Sequence, residues 1–323
     1  MTKFAWLASH ESYQPEDLID QAVLAEQAGF DMVTASDHFH PWVDDNSAAG
    51  FVWAWLGAAA ARTEHLEFAT SVTCPLFHYH PALIAQAAAT VDRLSGGRFV
   101  LGVGTGENIN EGPLGFEFPG YGERIRRMGE AVEIMRRLLA GEKLDFEGDF
   151  YQTRKAKLYS PPTRHVPIWM AAGGEQSATF AGKNVEGLIV SVKSPAEALE
   201  TVIKPFQAAR PDPGSIMATR WVVLAGSDDE AWEALGSMRG LRAPGRLDEV
   251  DPMVLRQRAD EMDRSEVLSK YTIVEDAAGL IEAYRPLVTE VGADFVSIQV
   301  ASTKPADVIR MIGSEVLGEL RRL

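Results

Sequence analysis

An alternation of short apolar runs with helical stretches, repeated eight times, constrains this chain more than any other feature of its sequence. The apolar runs are residues 4–8, 32–36, 66–73, 98–103, 166–171, 187–192, 216–224 and 294–300. They are too short for helices and several are rich in β-branched residues, the pattern of a strand buried on both faces. Helical stretches follow at 15–29, 51–62, 81–94, 121–139, from 176, 195–209, from 228 with a further one at 275–291, and 305–320. The first shows the usual punctuation: Pro15 and the acids Glu16 and Asp17 at its start, Gly29 at its end. Strands that alternate with helices pair in parallel, and eight such units favour a closed α/β architecture, the (β/α)8 TIM barrel, over an open doubly wound sheet.

Two stretches depart from the rhythm. Residues 144–160 alternate around Glu147-Gly148-Asp149 and read as a hairpin insertion. Residues 237–270 are rich in arginine and read as a helical insertion over the barrel mouth. No Pro/Gly/Ser linker or low-complexity tract divides the chain, so residues 1–323 are read as a single domain.

Charge narrows the partners. With 46 acidic and 31 basic residues the net charge is −15, which repels a nucleic-acid backbone or an anionic membrane, so neither is an expected partner. An anionic ligand must then be met locally, by clustered Lys or Arg or by a helix N-terminus. The single cysteine, Cys74, excludes an internal disulfide and a cysteine-based metal cluster. The first residues lack the apolar core of a signal peptide and no run nears the ~20 apolar residues of a membrane span, so a cytoplasmic protein is expected.

In a barrel, functional groups gather where the strands end. Polar residues do so here: Ser9, His10 and Glu11 after the first strand, Asp37, His38 and Trp42 after the second, Thr70-Ser71-Val72-Thr73-Cys74 at the third, and Gly102 to Glu111 at the fourth. Ala171-Ala172-Gly173-Gly174 ends the fifth. The glycines at 102–106 fit a phosphate cradle or a tight loop. They do not open a helix directly, as a dinucleotide fingerprint does; about fifteen residues are expected to intervene. Ala171–Gly174 fits an anion site or an ordinary helix start. Glu107 reads as a ligand-facing or a solvated acid, and Asn110 as a site or a turn residue. His78 and His80, close to Pro81, read as cap or packing residues. Trp53 and Trp55 read as core or interface aromatics. No His/Glu spacing marks a metal site.

The segments Ser36-Asp37-His38-Phe39-His40-Pro41-Trp42, Thr70-Ser71-Val72, Pro81 to Ala87, Gly102-Val103-Gly104-Thr105-Gly106-Glu107-Asn108-Ile109-Asn110-Glu111 and Ala171 to Gly174 together resemble the luciferase-like flavin/deazaflavin superfamily. Within it they most resemble the branch of coenzyme F420-dependent glucose-6-phosphate and secondary alcohol dehydrogenases. The resemblance implies an enzyme that moves a hydride from a CH–OH carbon to the deazaflavin. Asp37, Ser71, Val72 and Cys74 would lie near the ring, with a non-proline cis peptide between Ser71 and Val72 at its back face. Gly106, Glu107, Asn110 and Ala171, Ala172, Gly173, Gly174 would line the tail side. His38 would take the hydroxyl proton, as suits an imidazole. Glu11 would share that role or orient His38, Trp42 would shield the reduced ring beside the substrate, and Glu107 would protonate it. A homodimer is expected, with the aromatic helix of Phe51, Trp53 and Trp55 against the partner. The alternative within the superfamily is an FMN-dependent monooxygenase or reductase.

Substrate residues depart from the branch. Lys193 matches the first phosphate-holding lysine, but Gln257 or Arg258 stands near the second, and Tyr271 with Lys270 stands where an arginine is expected. Lys193, Arg258 and Lys270 are the candidates for a phosphate clamp, the alternative being solvated charges on an insertion. Sugar phosphate and uncharged alcohol both stay open.

Overall fold

A computed structural model describes residues 1–323. The strands are β1 (Lys3–Ala8), β2 (Met32–Ala35), β3 (Glu67–Thr70), β4 (Phe99–Val103), the hairpin β5 (Leu144–Glu147) and β6 (Gln152–Ala156), then β7 (Ile168–Ala171), β8 (Gly187–Ser191), β9 (Ser215–Leu224), β10 (Thr272–Val274) and β11 (Phe295–Ala301). Eight of them pair in parallel in the order β1-β2-β3-β4-β7-β8-β9-β11, and β11 returns to β1 at Lys3–Phe295 to close the barrel. Helices α1 (Pro15–Gln27), α2 (Val52–Arg62), α3 (Pro81–Ser95), α4 (Asn108–Glu111), α5 (Tyr121–Leu139) and α6 (Glu175–Asn184) belong to the first five units. No helix is long and apolar enough to cross a membrane.

The inward face of the barrel changes character along the strands. At its floor Ala5, Met32, Ala69, Val100, Trp169, Ile189 and Met217 pack together. The two alanines leave room for Trp169, whose ring meets Phe295 edge-on at 4.9 Å. Because side chains on one strand face recur every second residue, the next inward layer includes Thr34, Thr219 and Ser297, and Thr34 Oγ1 lies 3.1 Å from Ser297 Oγ. Ser71, Ala171, Ser191, Trp221 and Gln299 line the mouth. An apolar floor thus supports a polar cup at the C-terminal ends.

Four local readings are corrected. β3 ends at Thr70 rather than 73, and pairing resumes only as a single bridge from Thr73 to Val103; between them the Ser71–Val72 peptide is cis, as expected. A helix follows the glycine loop at once, since α4 begins at Asn108 and runs into a 3-10 turn, Gly112–Leu114. Between residues 236 and 268 lie a 3-10 segment (Gly236–Arg242) and helices Pro252–Glu261 and Arg264–Leu268, after which β10 adds an unexpected ninth strand beside β9. Last, Trp53 and Trp55 of α2 are consumed within the chain: Trp53 packs on Phe99 at 5.9 Å and Trp55 on His10 at 5.0 Å. Only Phe51 of that aromatic trio is left exposed.

The hairpin is tied to the scaffold at its turn, residues 149–151. Glu130 on α5 accepts from the backbone N–H groups of Asp149, Phe150 and Tyr151, and the Tyr151 hydroxyl donates to Leu76 O at 2.7 Å. It therefore braces the loop after β3 from outside.

Candidate active site

A cavity of about 500 Å3 opens at the C-terminal mouth, within the range of small-molecule sites. Every barrel strand except β1 contributes to its wall, either directly or through the loop that follows it.

The loop after β2 supplies Asp37 and His38. Its path is fixed by Asn110, whose Oδ1 accepts from Phe39 N at 2.9 Å and His40 N at 3.3 Å. His38 Nδ1 lies 3.0 Å from His40 O. A carbonyl only accepts, so Nδ1 carries a hydrogen, and in the neutral ring Nε2, which has no partner in the protein, keeps its lone pair. The Trp42 ring, 3% exposed, stands edge-on to His38 at 5.2 Å, and the Arg246 guanidinium lies 5.4 Å from the same indole. Arg246 also meets Glu107 at 3.1 Å. His38, Trp42, Arg246 and Glu107 thus form one contact chain, in which Trp42 is buried behind the wall and the other three line the cavity.

Asp37 is held between Thr73 Oγ1, which donates to Oδ2 at 2.7 Å, and Tyr79 OH, which donates to Oδ1 at 3.4 Å. Burial raises its carboxyl above the ordinary range despite these bonds, and burial also raises the Tyr79 phenol. Cys74 faces the cavity with its thiol pushed well up by burial and by the Glu111 charge, so it stays a thiol rather than a nucleophilic thiolate.

The glycine loop is shaped by lack of room. A Cβ on Gly104 would come within 2.5 Å of Val72 Cγ2. Gly106 has φ +80°, and a Cβ there would sit 2.6 Å from Cys74 Sγ. The loop backbone therefore lies against the cavity wall as closely as the chain allows. On the far side Ala171, Ala172 and Gly173 line the cavity, whereas Gly174 lies behind them with its N–H donated to Ser177 Oγ.

Other expected residues fall outside this wall. Glu11 is 4% exposed and accepts the Ser36 hydroxyl beneath the β2 loop; no hydrogen bond joins it to His38. Lys193 and Lys270 line a separate cavity of about 170 Å3, which shares Ser191, Trp221 and Arg242 with the main one. Arg258, expected beside them, lines neither and pairs with Glu249 at 2.7 Å. Arg242 and Arg246 take the cationic positions instead. The Lys193 amine is pulled below its ordinary range first by the Arg242 charge, then by burial and Arg246.

The reading of His80 as a cap corresponds to its geometry, since Nδ1 accepts from Ala82 N at 3.1 Å. His78 does not fit that description: it lines the cavity with Nδ1 2.6 Å from Glu111 Oε2. Its nearness to Pro81 masked it in the sequence. No cluster of three or more His, Cys, Asp or Glu side chains is placed to hold a metal ion.

Comparison with known proteins gives these features a context. The luciferase-like monooxygenase family model matches residues 2–294. The chain is similar to the F420-dependent glucose-6-phosphate dehydrogenase of Intrasporangium calvum, 34% identical with both chains covered in full. It is 37% identical to that of Nocardia farcinica over 86% of each chain. Among solved structures it is similar to an F420-dependent secondary alcohol dehydrogenase in complex with an F420-acetone adduct, with a TM-score of 0.91, 31% identity and 99% of each chain covered.

Proposed function

The chain belongs to the luciferase-like monooxygenase family, and within it we propose an F420-dependent dehydrogenase that oxidises a CH–OH substrate. The observation that carries this reading is His38, which faces the cavity with Nδ1 tied to a carbonyl and Nε2 free. Full-length similarity to F420-dependent dehydrogenases selects the cofactor over FMN. The donor set suits it: a glycine loop pressed to the wall, and Arg242 and Arg246 as cations for an anionic group in an acidic chain.

When bound, the deazaflavin supplies the hydride acceptor. Asp37, Ser71, Val72, Cys74, Gly106, Glu107, Asn110 and Ala171 to Gly173 would hold it in the cup. His38 Nε2 takes the hydroxyl proton as the hydride leaves carbon. Trp42, packed between His38 and Arg246, keeps the imidazole in place and shields the site. Glu107, held by Arg246, is the acid near the glycine loop. Glu11 acts through Ser36, steadying the loop that carries His38.

Lys193, Arg242, Arg246 and Lys270 support a substrate that carries an anionic group, such as a sugar phosphate, over an uncharged alcohol. Arg242 and Arg246 lie near enough to Lys193 to pull its amine below the ordinary range, a repulsion that an entering anion would relieve, whereas Lys270 is paired with Glu266 at 3.2 Å. We read the protein as a cytoplasmic homodimer.

The test is a titration with F420 and with FMN, followed by F420 reduction with glucose 6-phosphate or 2-propanol. F420 binding, with turnover that falls about 10²–10⁴-fold in His38→Ala at nearly unchanged F420 affinity, is expected for loss of a positioned base. FMN binding without F420 binding, or turnover within a few-fold of wild type, refutes it.

A further inference from the structure

His38 shares its cavity with a second imidazole. His78, in the loop after β3, lines the wall with 17% of its side chain exposed, and its Nδ1 donates to Oε2 of Glu111 across 2.6 Å. Glu111 has no solvent exposure. Its second oxygen, Oε1, has no hydrogen-bond partner and is packed beside Gly106, where a Cβ would approach it to 3.3 Å. Burying a carboxylate is unfavourable unless a partner brings donors and positive charge. His78 is the one cationic-capable side chain within ion-pair reach of it.

The two cavity histidines therefore differ in polarity. His38 Nδ1 faces a neutral carbonyl, which leaves Nε2 as an acceptor. His78 Nδ1 faces a buried carboxylate, a negatively charged acceptor in place of a neutral one. Its Nε2 has no partner in the protein and is left to the cavity. The two sides of the cup differ as well. The cations Arg242 and Arg246 come from the insertion, with Lys193 in the adjoining cavity, whereas His78 belongs to the side of Asp37, Cys74 and Gly106.

We propose that His78, anchored by Glu111, is a cofactor-contacting residue that donates from Nε2 to an acceptor oxygen of the bound deazaflavin cofactor. This rests on the F420 reading above and adds to it a contact that sets affinity rather than proton transfer from substrate.

Fluorescence titration of F420 into wild type, His78→Leu and Glu111→Gln tests it, with a thermal melt of each protein. His78→Leu should bind F420 about 10- to 100-fold more weakly, the usual worth of a hydrogen bond to a charged group. Glu111→Gln keeps an acceptor for Nδ1 but removes the charge, and should lose a smaller factor. Affinity within twofold of wild type in a folded His78→Leu protein overturns the proposal. If that variant fails to fold, wild-type protein labelled with 15N-histidine decides: added F420 must move the His78 Nε2 resonance, and an unmoved resonance overturns it. Failure of wild type itself to bind F420 overturns the functional reading and this inference together, whereas wild-type binding with an unaffected variant sinks this inference alone.

Discussion

His10 should make this protein lose stability as pH falls from neutrality, well before its carboxylates titrate. The residue is fully buried beneath the β2 loop. Its Nδ1 lies 3.1 Å from Gly50 O and so carries the hydrogen, its Nε2 is buried without a partner, and Trp55 stands edge-on to the ring at 5.0 Å. A second proton would have to sit on Nε2, where no acceptor waits. Burial accordingly lowers the imidazole from 6.5 to about 4, with the Glu11 charge and the Gly50 carbonyl offsetting only part of the effect.

The unfolded chain therefore binds this proton before the native one does. A folded value depressed below the unfolded one gives stability that is intact above about pH 6.5 and drains away as pH falls through about 4. At 1.36 kcal/mol per pH unit the separation bounds the loss at about 3 kcal/mol, of which about 2 kcal/mol falls between pH 7 and pH 5. His10→Asn places an amide N–H where Nδ1 was and cannot titrate. Urea unfolding of both proteins at pH 7, 6 and 5, followed by circular dichroism, cancels the groups they share. The variant starts less stable at pH 7 because it repacks the site, but the gap to wild type should close by about 2 kcal/mol at pH 5. Parallel curves for the two proteins would show that the ring is not held neutral by burial.

Gly102→Ala should be among the most damaging single-methyl changes in the barrel. A Cβ there lies 1.9 Å from the Thr70 backbone oxygen, in a strand that cannot yield, so a loss of several kcal/mol or outright failure to fold is expected in a thermal melt; a melting temperature within a few degrees of wild type contradicts it. For the proposed homodimer, Phe51 at 59% exposure is the one aromatic of its helix region still available. Sedimentation at micromolar concentration should give a dimer that Phe51→Asp weakens, and a wild-type monomer rules it out.

Most of the barrel was legible because its signals are local. Pro15, Pro81 and Pro305 at first helical positions and the buried apolar runs are properties of a few neighbouring residues. The misread elements lack such signals. Asn108-Ile109-Asn110-Glu111 holds two poor helix formers and is too short for a period, yet it turns helical with Ile109, Asn110 and Glu111 buried. Thr272-Ile273-Val274 is a strand only because β9 extends far enough to pair with it. The aromatic α2 looked ready for a partner, but whether Trp53 and Trp55 face outward depends on the neighbouring Phe99 and His10, which the local sequence does not place.

The site divides along the same line. Asp37, His38 and Trp42 lie within six residues and could be read as a group, whereas His78 and Glu111 are brought together across 33 positions by two converging loops. The arginines of 237–270 show what the missing information was. Arg239 is neutralised by Asp45 and Asp260, Arg256 by Asp44, Arg258 by Glu249 and Arg264 by Asp229. Arg246 pairs with Glu107 inside the cavity. Arg242 alone among the six has no carboxylate within ion-pair distance, and rests against Tyr271 at 5.5 Å instead. In a sequence these six guanidiniums are equivalent. In the fold, acids from distant loops claim the others, and the charge left unmatched is the one that lines both the main cavity and the smaller one holding Lys193 and Lys270.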